Sequence, residues 1–363
     1  MLGVVVVAVA VMQGAESLPP NIYAHTGAGM FSPEVSHALP RAYVPNGGAA
    51  SVSVIDLATY KVIHTFPVGT VPQHVVPAYD LHTLWVANEQ SNTVTPIDPT
   101  TGLPGASIPV PDPYNIYFTP DGQYALVVAE RLQRLDFRDP HTMALHDSLP
   151  VDCKGVDHME FTADGRFAVA TCEFSGKLLK LDVAAHKVVA YLQLPADSVG
   201  HAMPQDVRSS PDGSVFYVAD MTANGVHLLD PVAFRTIGFI HTGKGAHGLY
   251  PSRDGTHLYV SNRGWNTTMA PRHGAGSVSV IDFATRTVVA NWPIPGGGSP
   301  DMGNVSADGK ELWLSGRFDY EVYVFDTETG KLVHRIPVQR GPHGLTVWPQ
   351  PGRYSLGHTG NMR

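Results

Sequence analysis

The sequence predicts an all-β fold, a seven-bladed β-propeller with four antiparallel strands in each blade, and two observations lead to this prediction. Seven aspartates recur at intervals of 38 to 52 residues, each closing a short apolar strand: Asp56, Asp98, Asp136, Asp182, Asp230, Asp282 and Asp326. Asp-Gly turns and strands rich in Val, Tyr and Trp return around them, without any amphipathic helical stretch. A repeat of about 40 to 50 residues with this content is typical of one propeller blade.

The first repeat lacks its innermost strand. Its first strand phrase begins at Ala42 with nothing of that kind before it, whereas residues 344–349 have the pattern of the missing strand and follow the seventh repeat. We therefore expect the C-terminal strand to complete the first blade and close the ring, which would remove the exposed sheet edges.

The Asp-Gly turns indicate which strand ends share a face of the ring. Five of them lie in two-strand hairpins, at Asp121, Asp164, Asp212, Asp254 and Asp308, where the glycine supplies a positive φ. In a four-stranded meander, the starts of the first strands and the ends of the second strands lie on the opposite face. We call this the top face and expect the functional site there, because propeller ligands commonly sit on loops above the axis.

Composition favours a single domain. The chain has 363 residues, 43% of them hydrophobic and 15% charged, and propeller blades share one ring-shaped core. We assign residues 1–39 to a leader and residues 40–363 to the propeller. With 24 Lys plus Arg against 32 Asp plus Glu, the net charge of −8 argues against nucleic acid as a partner.

The N-terminus resembles a secretory signal. An apolar run reaches Val11 and is followed by Ala15 and a Pro-Pro pair, although no Lys or Arg precedes it. The run is too short for a stable membrane span, so we expect a secreted, periplasmic or cell-surface protein. Cys153 and Cys172 fall on the top face of one repeat, and we expect them to form a disulfide. The alternatives are two core thiols or a catalytic thiol.

Several strand phrases resemble the YVTN-type β-propeller repeat. They are Leu84-Trp85-Val86-Ala87-Asn88, Phe216-Tyr217-Val218-Ala219-Asp220, Leu258-Tyr259-Val260-Ser261-Asn262 and Gly341-Pro342-His343-Gly344-Leu345. The resemblance covers the chain from about residue 42 onward and is specific for the fold. Propellers similar to this one include surface proteins, lactonases and the nitrous-oxide-reductase propeller with its histidine-bound copper cluster, so the resemblance leaves the activity open.

Aligning the repeats places one residue pair at the start of each innermost strand. The pairs are Gln73-His74, Tyr114-Asn115, Asp157-His158, Gln205-Asp206, His247-Gly248, Asp301-Met302 and His343-Gly344. Since strand residues alternate between faces, we expect only one member of each pair to face the channel.

These pairs contain the candidate metal ligands, which are His74, His158, His247, His343, Asp157, Asp206 and Asp301. Converging imidazoles and carboxylates favour copper or zinc over calcium, and His201 and His358 are possible outer ligands. The alternative is that these residues only form hydrogen bonds at the channel mouth.

Charged residues at the ends of the second strands form a wall on the same face. Arg131, Arg263 and Arg317 are candidates for binding a carboxylate, and Glu89, Glu130 and Glu173 are candidates for a general base. The alternative is that they form ion pairs between blades. Three enlarged loops accompany the wall, at residues 195–204, 263–276 and 295–300.

Taken together, these features predict a monomeric exported propeller that binds a metal and a small-molecule ligand on its top face. If it is an enzyme, copper would favour redox chemistry and a Lewis-acidic ion would favour lactone hydrolysis or lyase chemistry. The competing prediction is a binding or scaffold propeller without turnover. The chain has no GxSxG or Walker A motif, so nucleotide binding is not supported.

Overall fold

The structure, a computed structural model, describes residues 21–195 and 201–363. The apolar N-terminal run and part of the loop at 195–204 lie outside these residues. Seven antiparallel sheets follow one another along the chain and form a ring, as the repeat pattern predicts. Within the described ranges, no helix has the length and apolar character needed to cross a membrane.

Each blade is built from an innermost strand at the channel to an outermost strand at the rim. Blade 1 comprises Thr346–Trp348, Arg41–Asn46, Ser51–Asp56 and Lys61–Pro67. Blade 2 comprises Pro72–Pro77, Leu84–Asn88, Thr93–Asp98 and an outer edge divided into Leu103–Pro104 and Ile108–Pro109. Blade 3 comprises Pro113–Phe118, Ala125–Ala129, Arg134–Arg138 and Leu145–Pro150, and blade 4 comprises Val156–Phe161, Phe167–Cys172, Lys177–Asp182 and Lys187–Gln193. Blades 5 to 7 comprise Pro204–Ser209, Phe216–Asp220, Gly225–Asp230 and Arg235–His241; Ala246–Pro251, His257–Asn262, Ser277–Asp282 and Thr287–Pro293; and Pro300–Val305, Glu311–Gly316, Glu321–Asp326 and Leu332–Pro337. Two 3-10 turns, Pro33–Val35 and Glu173–Ser175, and a short C-terminal hairpin complete the regular structure that the described residues contain.

The ring closes through the C-terminal strand, which confirms the predicted closure. Thr346–Trp348 pairs antiparallel with Arg41–Asn46, with Tyr43 opposite Thr346. Blade 1 therefore joins strands from both ends of the sequence, and its innermost strand is not left as an open edge.

The recurring aspartates stabilise the turn between the third and fourth strands. Oδ1 of Asp56 accepts hydrogen bonds from the backbone N–H of Thr59 at 2.8 Å and from its hydroxyl at 2.7 Å. Such an Asx turn explains why the repeat demands aspartate. Blade 3 is an exception, because Asp139 makes the turn while Asp136 forms a buried ion pair with Arg138 at 2.8 Å.

The innermost strands of blades 2 to 7 each carry a β-bulge at the channel mouth. In blade 4, Asp157 and His158 together face the single residue Thr171. Nε2 of His158 lies 3.0 Å from Oδ1 of Asp157, so both side chains lie at the channel. In blade 4 the expectation that only one member of the pair faces the channel is therefore wrong, because a bulge breaks the strand alternation. In blade 7 the expectation is met, since Met302 packs in the core beside Asp301.

Residues 350–363, which we call the tail, fold back into the central channel. Within the tail, Ser355–Gly357 pairs with Asn361–Met362 in a short hairpin. The hairpin also adds to the innermost strand of blade 3 through Gly357 and Tyr117. The channel is thus filled by protein, an arrangement that the sequence analysis did not predict.

Two further groups of contacts lie at the lower end of the channel, and the first of them fixes the tail. The Arg363 guanidinium donates to the Glu160 carboxylate at 3.0 Å and to the backbone carbonyl of Phe161 at 2.6 Å. Tyr23, which precedes the first blade, crosses the lower face and donates its hydroxyl to the carbonyl of Ser209 at 3.0 Å. The tail and Tyr23 therefore both lie at the lower end of the channel.

Two truncations should separate ring closure from channel filling. A chain ending at Pro349 keeps the closing strand but loses buried Leu356 and Met362, so we expect cooperative unfolding with a melting temperature lowered by roughly 5 °C or more. A chain ending at His343 loses the closing strand as well, and we expect it to aggregate or unfold without cooperativity. If the chain ending at His343 and the full chain had identical melting curves, closure of the ring by residues 346–348 would be contradicted.

Candidate functional site

Three imidazoles converge in the channel. His74 and His158 come from the innermost strands of blades 2 and 4, and His358 comes from the tail. One ring nitrogen from each lies within 4.8 Å of the other two, and all three residues have no solvent exposure. His74 and His158 are among the metal ligands predicted from the sequence, whereas His358 was predicted only as a possible outer ligand. The tail brings His358 to the centre instead.

A tight turn aims His358 into the channel. His358 and Thr359 have φ values of 26° and 48°, in the left-handed region that non-glycine residues seldom adopt, and Gly357 and Gly360 flank them. The backbone N–H of His358 donates to the carbonyl of Ile116 at 3.1 Å, which fixes the turn to blade 3. Backbone strain of this kind often marks a functional position.

Several nitrogens of these imidazoles lack hydrogen-bond partners. Both ring nitrogens of His74 and Nε2 of His358 have none among the residues that the structure describes, and Nε2 of His158 has a 3.0 Å contact with Oδ1 of Asp157. Burial lowers the pKa of all three imidazoles well below the ordinary value, with further lowering by neighbouring charges. The rings are therefore neutral, which is the form that binds metal ions.

Asn115 lies against the other side of two of the rings. Its Nδ2 is 3.1 Å from Nδ1 of His158 and 3.0 Å from Nδ1 of His358. Tyr117 also places its hydroxyl 3.3 Å from Nδ1 of His158. One amide thus contacts two of the three imidazoles and limits how their rings can turn, a role that the sequence analysis did not assign to Asn115.

Above the three imidazoles, Asp301 organises a second group. Its Oδ2 lies 2.8 Å from Nδ1 of His343, and its Oδ1 lies 3.1 Å from Nδ1 of His247 and 2.8 Å from Nε of Arg263. Burial acts to raise the pKa of Asp301, but Arg263, His247 and His343 outweigh it and hold that pKa well below the ordinary value. The ring centre of His343 is 4.8 Å from that of His74, so the two groups are adjacent.

The other two predicted carboxylate ligands differ in their surroundings. Asp157 is buried, with its Oδ1 3.0 Å from Nε2 of His158, and burial raises its pKa well above the ordinary value. Asp206 accepts hydrogen bonds from the backbone N–H of Val207 at 2.8 Å and of Leu249 at 2.9 Å. Its Oδ2 also lies 3.6 Å from Nε2 of His358. Asp206 therefore borders the three imidazoles but is already bonded to the backbone.

A cleft of about 120 Å³ opens above this centre on the top face. Its lining includes Gln73, Tyr114, Glu130, Glu173, Phe174, Gln205, His247, Arg263, Thr268, Arg317 and His343. Four of the six charged wall residues predicted from the sequence meet here, with the two carboxylates contributed by blades 3 and 4 and the two guanidinium groups by blades 6 and 7.

The carboxylates of the cleft are held in an environment that favours their protonated form. Burial, together with the charges of Glu173 and Glu89, raises the pKa of Glu130 to about 8. Burial also raises the pKa of Glu173. Glu173 directly follows Cys172, whose predicted disulfide with Cys153 is present with a Cα to Cα distance of 5.1 Å. The disulfide thus anchors the position of this carboxylate.

The remaining two wall residues act between blades. Nε of Arg131 lies 2.6 Å from Asp112 and 3.2 Å from Glu89. Glu89 also accepts a hydrogen bond from Gln73 at 2.6 Å. Arg131 and Glu89 therefore form an ion pair between blades, which was the alternative to a role in ligand binding or catalysis. Glu89 still contributes negative charge near the cleft.

The raised pKa of Glu130 makes a testable prediction about stability. The folded protein retains this proton up to about pH 8, whereas the unfolded chain releases it near an ordinary glutamate value, so folding stability falls as the pH rises through that window. Glu130→Gln cannot ionise and should gain melting temperature relative to the wild type, with a gain that grows from pH 4.5 and levels off near pH 8. The exposed Glu328→Gln is the matched control. A gain for E130Q that is independent of pH would contradict the prediction.

Comparison with known proteins places the chain among propellers. No match was found among curated proteins. A functionally unknown protein from Desulfotomaculum acetoxidans is 15% identical, with a TM-score of 0.68 over 85% of this chain and 98% of that chain. A putative 6-phosphogluconolactonase from Bacteroides uniformis is 17% identical, with a TM-score of 0.66 over 84% and 98%. The dihydro-heme d1 dehydrogenase NirN is 16% identical, with a TM-score of 0.63 over 85% and 75%.

At these identities, the structural similarity establishes the fold and nothing about the activity. The sequence itself matches the YNCE-like beta-propeller family over residues 4–350. The matched range covers nearly the whole chain, and the protein is a member of the YNCE-like beta-propeller family.

Proposed function

We propose that this protein binds one copper or zinc ion through His74, His158 and His358 and accepts a small ligand in the cleft above. The observation that carries the proposal is the convergence of three fully buried imidazoles that leave ring nitrogens without partners. Unpaired buried polar atoms are costly, so their presence in one place needs an explanation. A bound metal ion would satisfy all three rings.

The donor set favours a borderline transition metal. Neutral imidazole suits zinc and copper, whereas calcium requires a site built mostly from oxygen ligands. Three protein ligands with an additional open position are typical of catalytic rather than structural zinc sites. His343 and His247 lie just above, but Nδ1 of His343 is hydrogen-bonded to Asp301 at 2.8 Å, and Nδ1 of His247 lies 3.1 Å from the same carboxylate. His343 and His247 also line the cleft, so they are placed to orient a ligand that binds there.

Asn115 determines which nitrogens are free for the metal. With Nδ2 donating to His158 and His358, the neutral rings would carry their protons on Nε2. Metal binding through Nε2 requires the amide to turn, so that Oδ1 accepts from both Nδ1–H groups. The two orientations of an amide have nearly the same shape, so the turn needs no extra space, but it gives up the hydrogen bond that Oδ1 accepts from the backbone N–H of Ile116 at 2.9 Å.

The cleft offers a ligand both a positively charged guanidinium group and a carboxyl group that can transfer a proton. Among the described residues, Arg317 has one carboxylate within 4.0 Å, that of Asp301 at 3.8 Å, and it retains capacity to bind a further carboxylate. Glu130, with a pKa raised to about 8, is suited to transfer a proton near neutral pH. Bound copper would supply redox chemistry, and bound zinc would supply Lewis-acid assistance to lactone hydrolysis or a lyase reaction. In either case, this chain's arginine and glutamate orient the ligand and move the proton.

We also propose that the protein is exported as a single propeller domain and acts as a monomer. The disulfide between Cys153 and Cys172 supports an oxidising compartment, since such bonds persist mainly in exported proteins.

A non-catalytic binding or scaffold function is the second candidate, and one observation favours it. Nε2 of His158 lies 3.0 Å from Oδ1 of Asp157, close enough for the imidazole to be paired with that carboxylate without a metal. In this case the histidines would only hold the blades and the tail together, and removing metal would leave the protein unchanged.

Metal binding to untagged protein tests the proposal directly. We expect about one equivalent of copper or zinc by elemental analysis, and a higher melting temperature when the metal is added, because only the folded ring assembles the ligands. His158→Ala and His358→Ala should each weaken binding by at least the roughly 10- to 100-fold that is typical of disturbing a metal site. The exposed His82→Ala is the matched control and should bind like the wild type.

His343→Ala separates the two groups of histidines. Since Asp301 holds this ring, the variant should retain most of the metal affinity. If the protein takes up neither copper nor zinc, and its melting temperature does not change with copper, zinc or calcium, the metal proposal is wrong and the scaffold function is favoured.

Substitution of Asn115 tests the role of the amide. In Asn115→Asp a carboxylate accepts from both Nδ1–H groups, leaves both Nε2 atoms free and makes the rings more basic, so zinc should bind more tightly than to the wild type. The leucine side chain in Asn115→Leu has a similar size but cannot form hydrogen bonds with the rings, so the zinc affinity of this variant should fall below that of the wild type. Equal zinc affinities for the two variants, measured by competition with a chelator, would contradict this role.

A further inference from the structure

Beside the cleft, the top face has a wider groove of about 650 Å³. Val71, Pro271 and Phe318 contribute to its apolar lining, and Met269, which is 78% exposed, lies at its edge. The groove and the cleft share Gln73 and Arg317, so they form one continuous depression. A volume of this size is typical of sites for small organic molecules, which run from about 300 to 1,000 Å³.

Three arginines border this groove, and their charges are poorly compensated. Arg272 donates to the backbone carbonyl of Asp319 at 2.8 Å, and Arg340 donates to the carbonyl of Gly48 at 2.6 Å. A carbonyl satisfies a donor but does not neutralise the charge. Within the described part of the chain, neither arginine has a carboxylate within 4.0 Å.

Arg317, at the junction of groove and cleft, is compensated little better. Its carboxylate neighbour, Asp301, is 3.8 Å away and already holds Arg263 at 2.8 Å and two imidazoles. The groove is therefore a positive site on a chain whose net charge is −8. Local charge of this sign attracts anions despite the negative total.

We propose that the groove binds an amphipathic carboxylate, with its apolar body between Met269 and Phe318 and its carboxylate on Arg317 and Arg340. Guanidinium groups bind carboxylates through paired hydrogen bonds, which gives both orientation and affinity. The apolar lining gains from covering a hydrophobic body, because its exposed surface leaves water. The inference deepens the proposed function by naming the class of the small ligand, and it needs no metal.

The test uses protein treated with a chelator and 1-pyrenebutyrate as a fluorescent probe. We expect saturable binding of about one equivalent, and at least tenfold weaker binding of the neutral 1-pyrenebutanol. Arg317→Gln and Arg340→Gln should each weaken pyrenebutyrate binding by roughly tenfold, while Arg317→Lys, which keeps the charge but loses the paired geometry, should fall between. Arg235→Gln, an exposed arginine on an outer strand, is the matched control.

Equal affinity for the acid and the alcohol, or no saturable binding of the acid, would overturn the inference, as would arginine variants that bind like the wild type. Because the protein carries no metal in this experiment, these outcomes are independent of whether copper or zinc binds below.

Discussion

The insertion of the tail into the channel is the constraint on which the proposed metal centre depends. His74 and His158 are fixed by the ring, but the third imidazole arrives only when residues 350–363 fold back along blade 3. Arg363 anchors this segment on Glu160, and the strained turn at His358 directs the ring toward the other two. The same segment fills space that would otherwise be open, so packing and ligand assembly are achieved by one piece of chain.

The β-bulges are the second device that shapes the site. A regular strand would present one residue of each pair to the channel and turn the other into the blade. The bulge in blade 4 lets both Asp157 and His158 lie at the axis, and in blade 6 it places His247 next to Asp301 from blade 7. Bulges next to active sites often re-aim a side chain in this way. The result is a dense polar mouth on a scaffold of buried apolar strands.

The sequence predicted the fold well because its signals are local. An aspartate such as Asp56 is required by a turn within a few residues, and the repetition of that turn reveals the number of blades. The site was predicted less completely. His74, His158 and the cleft residues Glu130, Glu173, Arg263 and Arg317 were found by aligning repeats. The central position of His358 depends on a tail that belongs to no repeat, and alignment could not reveal it. The pair Gly357 and Gly360 around His358 was the one local sign of a special turn.

The three imidazoles carry the proposed metal site, and X-ray absorption at the metal edge of protein loaded with one equivalent of zinc or copper tests them most directly. The proposal predicts a first shell that contains three imidazole nitrogens at about 2.0 to 2.1 Å for zinc, with the outer-shell scattering that histidine rings produce. It also predicts that His358→Ala lowers the number of imidazoles by one. A first shell of oxygen alone, or a histidine count unchanged by that substitution, would contradict it.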